Sequence, residues 1–177
     1  MAPFLYAYII APFATIRDKA GYVPLYEAAI AIFCLSFAQS VELSGAVWLI
    51  ASKVVIGGIG VMALVMSQSL IIDFIAQWMG YAAQSRLLFL WLSLTYLPFL
   101  LLTPLQNLIT ALGVAYINLV LVGLVSFVTL LQIQTLRVRY ELSLKQAILL
   151  YVLPIIGFLG IIIGIAVMFG SAILASF

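Results

Sequence analysis

Glu27 and Asp73 are carboxylates set into long apolar runs, the first in LYEAAIAIFCLSF (residues 25–37) and the second in SLIIDFIAQW (residues 69–78). Ionisable side chains in such company are costly, roughly 2.5 to 3.5 kcal/mol each at the centre of a membrane helix, so each requires a role. Together with Ser69, Gln77 and Gln132 the pair supplies the oxygens of an acidic site for a proton or a cation. The alternative role is structural: each carboxylate pairs with Arg86, Arg137 or Arg139 reaching in from a membrane surface, and so fixes helix positions.

Other chemistry is sparse. The chain has no histidine, which removes the usual general acid/base and the usual zinc ligand. Its one cysteine, Cys34, has no partner for a disulfide, and one thiol with five methionines is a thin donor set for a soft metal such as copper(I). No stretch offers a nucleophile, a base and an anion clamp together, so a non-enzymatic protein is expected, with no cofactor and no metal.

The elements that hold these residues follow from composition. Hydrophobic residues make up 67% of the chain and charged residues 7%, with a mean hydropathy of +1.35, whereas about a quarter of an ordinary soluble domain is charged. A water-soluble shell cannot be assembled from these residues. Because a spanning helix needs roughly 20 apolar residues, the 177-residue chain accommodates five. The expectation is an all-α, polytopic membrane domain over residues 22–177, with spans at about 22–41, 54–78, 87–106, 113–136 and 146–174. Residues 1–21 read as a short interfacial segment, since Pro12 and the length both argue against a crossing. No basic residue precedes the apolar run of Met1 to Ala14, so a secretory signal is not expected. Pro98 and Pro104 in the third span and Pro154 in the fifth can kink their helices, either to shape the bundle or to line a cavity.

Charge then gives direction, because cytoplasmic loops are enriched in Lys and Arg. Of the seven Lys and Arg residues, a cytoplasmic N-terminus places Arg17, Lys19, Arg86, Arg137, Arg139 and Lys145 inside and Lys53 alone outside. Tyr22, Trp78, Tyr81 and Tyr140 then mark the inner boundary, and Trp48 and Tyr116 the outer one. On this frame Glu27 lies five residues past Tyr22 and Asp73 five before Trp78, which puts both about 7 to 8 Å below the inner surface on antiparallel helices. Ala31, Cys34 and Ala38 share the Glu27 face, and Met62, Met66, Ser69 and Gln77 that of Asp73, so both carboxylates are expected to face the bundle interior. Gly157, Gly160 and Gly164 share one face of the last span, a spacing suited to close helix contact within the protomer or with a second copy. Arg137, Arg139 and Lys145 form a basic cluster that either binds anionic lipid headgroups, at about 1 kcal/mol per contact, or serves topology alone.

Four segments carry a family resemblance: APFATIRDKAGYVPLYEAAIAI ahead of and into the first span, FIAQWMG closing the second, YLPFLL in the third, and LRVRYELSLKQAILLYVLP leading into the last. In their order they resemble the Yip family, the Ypt/Rab-interacting multispan membrane proteins, and the likeness covers nearly the whole chain. It implies a five-helix membrane domain with a cytoplasmic N-terminus. The Asp-Leu-Tyr-Gly-Pro signature of eukaryotic members is absent, so the resemblance implies a bacterial or archaeal relative in the plasma membrane. The expected function is interaction within the bilayer, organising lipids, a second copy or another membrane protein, with no nucleic-acid partner. A small cation- or proton-linked transporter using Glu27 and Asp73 is the alternative.

Overall fold

The computed structural model describes residues 3–18, 25–40, 47–102, 104–105, 109 and 117–174. Every regular element among them is helical: α1 (Pro3–Ile10), α2 (Pro12–Asp18), α3 (Leu25–Ser40), α4 (Val47–Trp78), α5 (Ser85–Thr95), a 3₁₀ turn (Leu97–Leu101), α6 (Ile117–Arg139) and α7 (Leu144–Leu174). Lys19, Tyr22, Tyr116 and the expected start of the fourth span lie outside the described residues.

Local chemistry explains the boundaries. Pro98 cannot donate to a helical ladder and disfavours the α conformation of the residue before it, and the third helix accordingly stops at Thr95, giving way to the tighter turn from Leu97 rather than running on to 106. Helix α4 begins at Val47, earlier than residue 54, so Lys53 sits inside its N-terminal end; a lysine near a helix terminus can extend its stem along apolar surface and keep its ammonium wet. Pro154 lies within α7 without ending it. The C-terminal end of α4 is closed by Gly80 at φ +91°, with Tyr81 N–H donating to Ala76 O at 3.0 Å and Gly80 N–H to Gln77 O at 2.9 Å, the paired bonds of a left-handed helix cap. The C-terminal end of α6 closes in a related way, with Leu142 N–H donating to Arg137 O at 2.9 Å, but Glu141 holds the left-handed position at φ 53°.

Helix α5 is the hub. Leu88, Leu90, Trp91, Leu92, Ser93, Leu94 and Thr95 are all buried, and α5 packs against α3, α4 and α6 while α7 packs on α6 and α4. One apolar cluster lies around Trp91 with Tyr8, Ile16, Ala28, Ala31, Leu94 and Leu131. The other lies around Leu88 and Leu92 with Val65, Ile72, Ala76, Leu136, Tyr140, Ala147 and Leu150. Hydroxyls within the bundle are satisfied locally: Ser36, Ser93 and Thr135 donate to the carbonyl four residues back, Ser69 and Thr95 to the one three back. That is how polar side chains are tolerated where water is absent.

Helices α1 and α2 form a sharp V. Thr15 Oγ1 donates to Ala7 O at 3.1 Å, although residues eight apart stand about 12 Å apart along a straight helix. Pro12, which lacks the N–H, sits at the bend. The V packs beside the middle of the bundle: Phe13 meets Phe127 edge-on at 6.0 Å and Tyr8 meets Trp91 at 6.2 Å, and Phe127 is about 18 Å along α6 from Arg139.

The outer surface is apolar. Two helical stretches among the described residues, Ala51–Trp78 and Asn118–Arg139, are long and apolar enough to cross a membrane, and only 22% and 28% of their most apolar windows are buried inside the protein. Leu25–Phe37, Ser85–Leu101 and Leu144–Gly160 are shorter apolar stretches. Ile56, Leu64 and Phe74 on α4, Leu119 and Val122 on α6, and Ile156 and Phe158 on α7 all stand more than half exposed, which is not the pattern of a core helix in a soluble protein.

Candidate functional site

Asp73 stands in the last turns of α4, whose left-handed cap at Gly80 reverses the chain so that Gln84, the residue before α5, returns beside it. Three groups converge on its carboxylate. Gln84 donates its backbone N–H to Oδ1 at 2.8 Å, Tyr140 donates its hydroxyl to the same oxygen at 2.5 Å, and Gln77 donates Nε2 to Oδ2 at 3.0 Å. Arg139 Nη2 in turn donates to Gln84 Oε1. The side chain of Asp73, 3% exposed, therefore joins the α4–α5 connection to the end of α6, 67 residues further along the sequence. Burial first, and then the hydrogen bond to Asp73, hold the Tyr140 phenol well above the usual tyrosine range, because a tyrosinate there would be poorly solvated and would face the carboxylate.

On its other side Asp73 forms part of the wall of an open cleft of about 460 Å³, together with Leu70, Ile71, Phe74, Gln77, Ala83 and Ser85.

Glu27 is fully buried at 0% exposure in the first turn of α3. Oε1 accepts a hydrogen bond from Tyr26 at 3.0 Å, and Oε2 has no partner among the described residues. Glu27 and Asp73 both face inward, but no hydrogen bond among the described residues connects them. The other expected members also separate. Ser69 donates to Met66 O. Gln132, 2% exposed, belongs to a third group in which Tyr96 OH donates to Gln68 Oε1 at 2.7 Å and Gln68 Nε2 to Gln132 Oε1 at 3.4 Å. Only Gln77 stays with Asp73, so the single acidic pocket expected from sequence is resolved into three polar groups.

The basic cluster also divides. Arg137 and Lys145 are exposed, while Arg139 is turned into the Asp73 network. Gly157, Gly160 and Gly164 are exposed, and a Cβ built on any of them meets nothing within 4 Å, so that face of α7 packs against no described part of the protomer. Cys34 is exposed, and no group of three or more metal-ligating His, Cys, Asp or Glu side chains occurs among the described residues.

Tyr140 and Gln84 are the residues that the sequence does not single out. Tyr140 reads as one more aromatic at a membrane boundary, and Gln84 meets Asp73 through its backbone N–H, a contact for which side-chain identity carries no signal. Comparison with protein-family models, with curated proteins and with solved structures finds no match to this chain.

Proposed function

We propose that this chain is a non-enzymatic, multi-pass membrane protein of the Yip type that acts by interaction within a bacterial or archaeal plasma membrane, organising lipids or membrane-protein partners. Five spans are proposed, carried by α3, α4, α5 with its 3₁₀ turn and the residues after it, α6 and α7, with the N-terminus cytoplasmic and the C-terminus outside. α7 alone is 31 residues long, about 46 Å of helix, against a hydrocarbon core of about 30 Å.

The observation that carries the interaction reading is the contrast between surface and interior. The surface of α4, α6 and α7 is broadly apolar, while the polar side chains around Asp73, Gln132 and Glu27 form three groups that no hydrogen bond among the described residues connects. The cation-linked alternative requires Glu27 and Asp73 to act together, and no hydrogen bond among the described residues connects them.

Purification from native membranes after an alkaline carbonate wash, followed by mass spectrometry of everything retained, tests the proposal. The expected result is a protein that stays with the membrane and carries defined lipids or a partner chain. Flux of protons, Na⁺ or K⁺ into proteoliposomes that is lost in Asp73→Asn would instead establish the transporter.

A further inference from the structure

The cleft beside Asp73 has a composition that the latch between α4 and α6 does not explain. Leu70, Ile71 and Phe74, which line one side, are 49%, 49% and 58% exposed, so that wall is continuous with the apolar outer surface of α4. The cleft is also lined by Gln77 and Ser85, and the carboxylate of Asp73 is part of the same wall. Trp78 ends α4 one turn away and is 83% exposed, which sets the cleft about 7 to 8 Å from the helix end, where headgroups meet acyl chains.

The three donors to Asp73 are the Gln84 N–H, the Tyr140 hydroxyl and the Gln77 amide. All three are neutral, and the nearby Arg139 guanidinium donates to Gln84 Oε1, so no direct donor among them brings positive charge onto the carboxylate. Oδ1 receives two of them and Oδ2 one, and a carboxylate oxygen has about two acceptor sites; one site on Oδ2 is therefore open to a further donor. Charge complementarity calls for a cation with N–H groups, and the apolar wall calls for a hydrocarbon chain on the same molecule.

We infer that this cleft binds a primary-amine phospholipid of the inner leaflet, its ammonium on Asp73 Oδ2 and an acyl chain along Leu70, Ile71 and Phe74. The inference rests on the proposed membrane placement and names the lipid class for it. An ammonium offers three donors and a charge. A choline headgroup offers the charge without an N–H, and a glycerol headgroup on an anionic phospholipid offers no cation. The order of preference is ethanolamine over choline over glycerol.

The test is purification in mild detergent with an equimolar mixture of phosphatidylethanolamine, phosphatidylcholine and phosphatidylglycerol, and quantification of the retained lipid. Phosphatidylethanolamine is expected to be enriched about tenfold over phosphatidylcholine, the factor that one charge-assisted hydrogen bond supplies. Asp73→Asn removes the charge but also disturbs the latch, so Ala83→Trp, which fills the exposed rim and leaves the donors to Asp73 in place, is the decisive variant. It is expected to bring the two lipids to parity while the protein remains monodisperse. Equal retention by the unaltered protein, enrichment of phosphatidylglycerol, or persistence of the preference in Ala83→Trp would each overturn the site. Recovery of the chain in the soluble fraction of a detergent-free lysate would instead overturn the membrane placement, and is read before any lipid is added.

Discussion

Asp73 and Glu27 are both buried carboxylates on apolar helices, yet one accepts three hydrogen bonds, two of them from other segments, and the other accepts one from its own neighbour, Tyr26. Burial alone does not assign a role to a membrane carboxylate; the origin of its donors does. Asp73 draws on the α4–α5 connection and on the end of α6, so it determines how three helices meet. Among the described residues Glu27 has no hydrogen bond beyond its own turn, and one of its oxygens has no partner.

Removal of each carboxylate should expose this difference, with the largest effect at Asp73. Asp73→Ala leaves the Gln84 N–H, the Tyr140 hydroxyl and the Gln77 amide without their acceptor, and a buried polar group deprived of its partner costs about 1–3 kcal/mol. A loss of about 3–5 kcal/mol is expected, read as a large fall in melting temperature in a single detergent. Glu27→Met removes Oε2, which has no partner among the described residues, and Oε1, whose donor Tyr26 is exposed and can turn to other partners; replacing a poorly compensated buried carboxylate by an apolar side chain is often neutral or stabilising. A shift within about 1 kcal/mol of the unaltered protein is expected, and a loss equal to that of Asp73→Ala would erase the distinction.

Tyr140→Phe sharpens the Asp73 side. It deletes one hydrogen bond to a charged acceptor, a loss of about 1.5–3 kcal/mol. Its pH dependence carries a definite sign: the folded protein holds the phenol above its unfolded value of about 10, chiefly by burial. That stability is fully present below about pH 10 and is lost as pH rises toward the folded value. Thermal melts from pH 8 to 11 should show a falling alkaline limb that is shallower in Tyr140→Phe. It should not vanish, because burial also raises the Tyr8 phenol. Identical limbs in the two proteins would remove Tyr140 from the account.

The smallest effects come from the two turns that bring the latch together. Gly80 and Glu141 occupy equivalent left-handed positions, at φ +91° and 53°, and a left-handed conformation costs a residue with a Cβ about 1–2 kcal/mol. Nothing lies within 4 Å of a Cβ built on Gly80, so Gly80→Ala should lose about 1 kcal/mol through the backbone alone. Glu141→Gly should gain up to about that amount, and a loss on that substitution would show that the Glu141 side chain contributes a contact of its own.

The sequence reveals the helices far better than their meeting points. Apolar run lengths locate the inner turns at residues 79–84 and 140–143 to within a few residues, Gly80 marks a helix end, and Pro98 marks the interruption of the third helix. Asp73 and Glu27 are legible as unusual because the cost of a carboxylate in an apolar helix depends on local context. Their partners are not legible. Tyr140 reaches Asp73 across 67 residues, a contact set by the packing of α5 between α4 and α6, and depth along a helix says nothing of which neighbour a side chain will meet. Pro12 illustrates the same limit: as a residue it argues against a crossing, but its use as the bend of a V that brings Phe13 onto Phe127 depends on a tertiary surface that no local pattern encodes.

The central claim, that the Asp73 latch closes the cytoplasmic face of a multi-pass membrane bundle, is tested most directly by placing single cysteines in a Cys34→Ser background and labelling intact cells with a membrane-impermeant thiol reagent. Ala82 and Ser143 lie in the two turns joined through the latch, and Lys53 lies at the opposite end of α4. Lys53→Cys should label from outside, while Ala82→Cys and Ser143→Cys should label only after the membrane is opened. Labelling of Ala82→Cys and Ser143→Cys from opposite sides would contradict the account, because their turns could not then be held together by one carboxylate.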